Sequence, residues 1–288
     1  LEKLKKDFDE GNVQWRDITA ALNIKPHKDL EPTTLLDENG QIIQKDSVFL
    51  QTVSDFFENL TSKPVNSATH DQDETAFEEY VRENWKTDTD PIFNTPFTKH
   101  EVSLTINQLP NRKSPGPPGT PYELAKLLWE LNPTTILKFL NYIFQRGEIP
   151  AEWCTGCIVT LWKQKGDKQK IDNYRPITLI NVWWKIIMKL LDKRIKRFLE
   201  RKGLLKHYQH GFRKLQNCQD HIANLQEILC RRKNQKKETL GAFFDLTKAY
   251  DTVWHEALWY KLCQLGIRGR TLKLIMSGYS QAKCQVRT

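Results

Sequence analysis

Phe49, Val53, Phe56, Phe57 and Leu60 recur at helical spacing, which predicts an amphipathic helix over residues 47–60. The same period returns in "YELAKLLWEL", in "TTILKFLNYIFQRG" and in "CQDHIANLQEILCRRK". Residues 177–202 read as one long helix with an apolar stripe of Ile187, Leu190, Leu191, Ile195, Phe198 and Leu199. Its other face carries Lys185, Lys189, Lys193, Arg194, Lys196, Arg197, Arg201 and Lys202. Residues 252–266 predict a further helix closed by Gly266. Thr98 with Glu101 three residues on is a capping-box pattern opening "FTKHEVSLTINQL". Two runs have strand character: "CIVTLW" (157–162) and "LGAFFDL" (240–246), the second expected to be buried. The closing "CQVRT" reads as a strand cut in mid-course.

The intervening stretches punctuate the pattern. Residues 1–62 read as helix, turn and helix, with Asn39-Gly40 a strong tight-turn or hairpin signal. Residues 63–96 read as a polar surface connection holding one short helix. "NRKSPGPPGTP" (111–121) has two Gly and four Pro in eleven residues, which excludes helix and central strand. "KQKGDKQKIDNYRP" (163–176) is a basic loop, and "RRKNQKKE" (231–238) a basic turn.

Charge adds a partner to this picture. Lys and Arg total 44 against 35 Asp and Glu, a net of +9, which points to a polyanion such as nucleic acid. No apolar run approaches the roughly 18 residues that a membrane span needs. Six cysteines in 288 residues, with no signal peptide at the start, fit a reducing, intracellular setting, nuclear and cytoplasmic rather than secreted. "CTGC" (154–157) has half of a zinc pattern but no second pair, so buried thiols are the better reading.

The chemistry concentrates in "FFDLTKAYDTVW" (243–254). Asp245 and Asp251 are six apart and do not share a helix face. A strand that ends in Asp245 would present a carboxylate to a divalent cation and a phosphate substrate. The competing reading makes Asp245 the N-cap of the next helix and Tyr250 a core residue.

The blocks around this stretch resemble the reverse transcriptases of LINE-type, non-LTR retrotransposons, jockey-like elements in particular. "FFDLTKAYDTVWH" is similar to the family's F-x-D-x-x-K-A-F-D-x-V-W-H. "NRKSPGPPG" resembles N-K-x-P-G-x-D-G, "DNYRPITLINVWWKI" resembles N-Y-R-P-I-S-L with a trailing Lys, and "QHGFRKLQNCQD" resembles Q-x-G-F-R-x-x-x-S-T-x-D. The four blocks stand in the family's order and cover residues 97–288.

The resemblance implies an α+β, right-hand polymerase fold with fingers and a partial palm, the palm sheet antiparallel and backed by helices such as 252–265. Residues 1–96 would be a helical extension before the polymerase, 97–239 the fingers and template-contacting region, and 240–288 the start of the palm. It implies RNA-directed DNA synthesis on a DNA primer or target from dNTPs, with Mg²⁺ or Mn²⁺. Asp245 would be the catalytic, metal-binding carboxylate, joined by the backbone carbonyl of Leu246. Tyr250 would stand beneath the nucleotide sugar and reject a 2′-OH. Lys163 and Arg175 would touch the triphosphate, with Lys165 and Lys168 also near enough to replace Lys163. Gln209, Gly211, Phe212 and Arg213 would contact the template.

The chain also departs from the family. Pro118 stands where the proline-glycine block has Asp, Asn217-Cys218 where Ser-Thr is usual, and Trp183-Trp184 where smaller residues are usual. The family's second catalytic block ends in Asp-Asp, and no Asp-Asp pair occurs in these 288 residues. The expectation is therefore a polymerase stretch truncated before that block and the thumb, and inactive by itself. The alternative is a dead retrotransposon relic that binds nucleic acid without extending it.

Overall fold

The computed structural model describes residues 34–36, 42–44, 47–61, 68–85, 90–246 and 248–286. The chain divides into two compact units, Leu1–Leu191 with Thr252–Thr288, and Asp192–Asp251.

In the first unit, β1 (Thr34–Leu36) and β2 (Ile42–Gln44) pair antiparallel. They flank Asn39-Gly40, which lies outside the described residues, as does the helix expected before residue 34. Helix α1 (Ser47–Thr61) turns Phe49, Val53 and Phe57 inward, where they meet Leu35 and Ile158 in one buried cluster. A three-stranded sheet runs in the order β4 (Tyr174–Leu179), β3 (Thr155–Trp162), β5 (Lys283–Val286). β3 pairs antiparallel with β4 and parallel with β5.

Helices α2 (Ala68–Asn84), α3 (Lys99–Asn107), α4 (Tyr122–Leu131) and α5 (Pro133–Arg146) follow the hairpin. The Thr98 hydroxyl accepts from the Glu101 amide at 3.2 Å, and the Glu101 carboxylate accepts from the Thr98 amide at 2.8 Å, so the capping box forms as its spacing predicts. α3, α4 and α5 bury Val102, Ile106, Leu127, Leu140 and Phe144, with the Phe97 ring 4.7 Å from that of Phe144. α6 (Val182–Arg201) leaves the sheet after β4. α8 (His255–Gln264) packs on α2, stacking Tyr260 on Phe77 at 4.4 Å. α9 (Gly269–Ser280) packs on α5, and its Thr271 hydroxyl donates to the Phe93 carbonyl at 3.0 Å.

Two close approaches depend on the absence of a Cβ. One on Gly116 would sit 2.4 Å from the Ile180 carbonyl oxygen, so the proline-glycine loop lies backbone to backbone on the end of β4. One on Gly278 would meet the Trp184 ring at 2.8 Å. The tryptophan that departs from the family pattern thus fills the notch that a glycine on α9 provides.

Four expectations are corrected. Residues 63–96 hold α2, seventeen residues long, because Phe77, Tyr80 and Val81 give it an apolar edge that packs on α8. Residues 177–179 are strand, not helix, since Pro176 and the β-branched Ile177 and Thr178 follow a chain already paired with β3. The sheet is mixed rather than antiparallel, because its third strand is β5. Residues 240–246 are neither strand nor buried: Leu240 is 97 % exposed and Phe244 94 %. Their side chains favour strand, but among the described residues no neighbouring strand pairs with their amides, and a strand without a ladder is not stable.

In the second unit, α6 runs out to Arg201 and α7 (Cys218–Asn234) follows a sixteen-residue connection. Arg194 and Phe198 are its buried residues among those described. Arg194 therefore does not belong to a solvated basic face. Lys185, in the first unit, is half-buried over the Tyr122 ring at 5.4 Å, and burial with Lys189 nearby pushes its ammonium pKa down.

Candidate functional site

The site residues fall in both units. In the first, the hairpin of β3 and β4 carries Lys163 and Arg175. The register sets Trp162 against Tyr174 and Leu161 against Arg175, so both cations lie at the loop end of the hairpin. The loop between them is held by its own hydrogen bonds. The Lys163 amide donates to the Asn173 carbonyl at 2.8 Å, the Asn173 amide side chain to the Asp167 carbonyl at 2.7 Å, and the Tyr174 hydroxyl to the Lys168 carbonyl at 2.8 Å. Burial, with Asp167 adding to it, raises the Tyr174 phenol pKa and keeps it a donor. The three lysines differ in their ties. Lys163 donates its ammonium to the Asp172 carbonyl, Lys168 stands over the Trp162 ring at 4.7 Å, and Lys165 is exposed. Arg175 is exposed and makes no ion pair among the described residues.

In the second unit, the connection before α7 is built around Arg213. Its guanidinium donates Nε to Glu200 Oε1 at 2.9 Å and Nη2 to Oε2 at 2.7 Å, a bidentate pair, and Nη1 to the Lys206 carbonyl at 2.9 Å. The pair holds the Glu200 carboxyl below its ordinary pKa. Arg213 thus ties this connection to the end of α6. Gln209 donates to the Gly211 carbonyl at 3.3 Å. Phe212, at φ +62°, is turned outward and 80 % exposed. Its ring stands edge-on to Tyr250, with centroids 6.5 Å apart, so the G-F-R and K-A-Y-D blocks meet here. Lys196, Lys206, Tyr208, Gln209 and Phe212 line a cavity of about 420 Å³.

Asp245 and Leu246 lie in the irregular exposed segment. Neither competing role holds: α8 has Trp254 as its N-cap, and Tyr250 is 77 % exposed, so it is not core. Asp251 closes a turn, its amide donating to the Lys248 carbonyl at 2.9 Å. Among the described residues, no group of three or more His, Cys, Asp or Glu could hold a metal ion. Asp245 and the Leu246 carbonyl by themselves do not make a complete metal centre. "CTGC" behaves as buried thiol chemistry at its first residue: Cys154 is buried, its Sγ donates to the Pro150 carbonyl at 3.6 Å, and burial raises its pKa.

Two features escaped the sequence reading. Glu200, the partner of Arg213, has no local signal because thirteen residues separate them. Asn217 caps α7 in a capping box with Asp220, and the N-x-x-D spacing was there to be read. The Asn217 departure from the family's Ser is thus a change from one capping residue to another.

With this geometry in place, the comparisons with known proteins can be set beside it. Residues 163–288 match the family described as "Reverse transcriptase (RNA-dependent DNA polymerase)". The RNA-directed DNA polymerase from the mobile element jockey of Drosophila melanogaster is 28% identical over 172 residues, 58% of this chain and 18% of that protein. The Transposon TX1 uncharacterized 149 kDa protein of Xenopus laevis is 24% identical over 281 residues, 98% of this chain and 21% of that protein. The probable RNA-directed DNA polymerase from transposon BS of Drosophila melanogaster is 25% identical over 174 residues, 59% and 19%. Residues 163–288 are thus similar to reverse transcriptases, and the relatives named RNA-directed DNA polymerases come from mobile elements such as jockey. The chain spans about a fifth of the length of the curated relatives it matches.

Proposed function

We propose that this chain is part of an RNA-directed DNA polymerase of a non-LTR retrotransposon, which adds dNTPs to a DNA 3′-OH on an RNA template. The observation that carries the reading is Asp245: an exposed carboxylate that neither caps a helix nor packs in the core, inside the stretch that matches the family. In this reading residues 97–239 serve as fingers and template-contacting region, 240–288 begin the palm, and 1–96 precede the polymerase.

Lys163 and Arg175 hold the triphosphate of the incoming nucleotide, where cations offset charge that develops on phosphate oxygens. Arg175, exposed and without an ion pair among the described residues, is the freer of the two. The Tyr250 ring excludes a ribonucleotide's 2′-OH. Gln209, Gly211 and Phe212 face the template, and Arg213 positions them through Glu200. A divalent cation, Mg²⁺ or Mn²⁺, bound at Asp245 would offset charge on the reacting phosphate. The remaining ligands of such a centre are not among the described residues, and these 288 residues hold no Asp-Asp pair, so this chain alone binds nucleic acid without extending a primer. The place of work is intracellular, nuclear and cytoplasmic.

The test is an Asp245→Ala change in the longest reading frame that contains this chain. Primer extension on an RNA template is expected to fall at least a thousandfold, with RNA affinity within about twofold. Extension that survived the change would remove Asp245 from the chemistry.

A further inference from the structure

The first unit holds a cavity of about 730 Å³ among α2, α8 and α9, within the size range of pockets that take small ligands or peptide side chains. It includes none of the proposed polymerase residues. Three rings meet on one wall: His255 lies 5.0 Å from Tyr279, Trp259 lies 5.4 Å from Tyr279, and His255 lies 5.8 Å from Trp259. Phe77 and Trp85 add two further aromatic side chains to the lining.

The charge on this cavity runs against the rest of the chain. Glu78 and Glu256 line it, and neither side chain has a hydrogen bond or ion pair among the described residues. The two cations on its lining are already engaged. Arg82 pairs with Glu79 at 3.2 Å, and Lys273 with Glu148 at 2.9 Å and the Arg146 carbonyl at 3.2 Å. A chain of net charge +9 thus keeps two carboxylates without a partner among the described residues beside a wall of aromatic side chains. That combination repels phosphate and attracts a cation, which gains from the ring faces and the carboxylates together. A guanidinium suits it better than an ammonium, because it is planar, stacks on rings and takes carboxylates two bonds at a time.

We propose that this cavity is a docking site for an arginine side chain presented by an extended peptide segment of a protein partner. The volume exceeds one side chain, so the residues flanking the arginine also enter. The site is independent of the polymerase reading and does not need Asp245.

The experiment uses a short fluorescein-labelled peptide with one arginine among glycines and serines, and the same peptide with citrulline in its place. Citrulline keeps the shape and removes the charge. Anisotropy titrations of the whole chain are expected to give saturable binding of the arginine peptide and at least tenfold weaker binding of the citrulline peptide. The Glu78→Gln/Glu256→Gln double variant replaces one exposed and one half-buried carboxylate with a side chain of the same shape and is expected to keep its circular dichroism and melting temperature, while arginine-peptide affinity falls at least tenfold. Absence of saturable binding, equal binding of the two peptides, or unchanged binding by the double variant overturns the proposal. So does competitive displacement of the peptide by an RNA oligonucleotide, which would assign the cavity to nucleic acid.

Discussion

Phe144 and Phe244 are the same side chain a hundred residues apart, one fully buried and the other 94 % exposed. The contrast extends to their units. The first buries Ile106, Leu140, Ile143, Ile186, Ile187 and Leu274 in helices that cover one another. The second leaves Phe212, Leu215, Phe243, Phe244 and Leu246 more than three-quarters exposed, and along α7 Ile222, Leu225, Ile228 and Leu229 are exposed too. Apolar burial is the dominant favourable term in folding, so the first unit carries the stability. The second is held by polar devices: a bidentate ion pair and a capping box. Exposed apolar area of this extent marks a surface that works against something else. The sites proposed for template, sugar and metal all lie in that unit, where a surface must stay open to be used.

Breaking this comparison is straightforward. Phe144→Ala removes a buried ring and is expected to cost about 3–5 kcal/mol, whereas Phe244→Ala should stay within about 0.5 kcal/mol. Paired thermal melts decide it, and equal losses would refute the division. Gly116→Ala puts a methyl into the Ile180 backbone and is expected to cost about 1–3 kcal/mol in the same assay. A neutral result would mean that the proline-glycine loop yields freely. The two capping boxes sharpen the contrast. Thr98→Ala should lower the global melt by about 1 kcal/mol, while Asn217→Ala, costing its own helix a similar amount, should register mainly as faster amide exchange in α7.

The smallest effect is acid-linked. The Glu200 carboxyl is held below its ordinary value by Arg213, so the folded form binds its proton less readily than the unfolded one. Its contribution is present above the ordinary value of 4.5 and is lost as pH falls through the lower folded value. Amide protection factors over residues 203–217 should therefore fall on acidification below about pH 4.5. Glu200→Gln should show the lowered protection already at pH 7, with no further change from this group.

What the sequence made legible followed from local physics. The α1 stripe, the Thr98 box and the Pro-Gly loop each declare themselves within a dozen residues, and each formed. The run at 240–246 misled for the complementary reason. Its side chains have strand preference, but a strand needs a neighbour, and neighbours are a property of the whole chain. The three residues of β4 read as helix failed in the same way, because β3 offered them a ladder. Site residues were named through four short blocks, so their identities were visible. Their ties were not: the Glu200 clamp on Arg213, the Lys168 contact with Trp162 and the Trp184 notch at Gly278 all join residues that no local period links.

The parallel pairing of β5 with β3 bears on the order in which the protein is made. Thr155 finds its partner in Lys283, 128 residues later, whereas β4 follows β3 at once. On a ribosome, the 104 residues from Leu179 to Lys283 take roughly 5–20 s to emerge. For that interval the hairpin of β3 and β4 waits with one edge unpaired, and the stretch most exposed in the finished protein is synthesised during the wait. The sheet is therefore a late event in the life of the nascent chain, and its open edge is the place where a chaperone would act first.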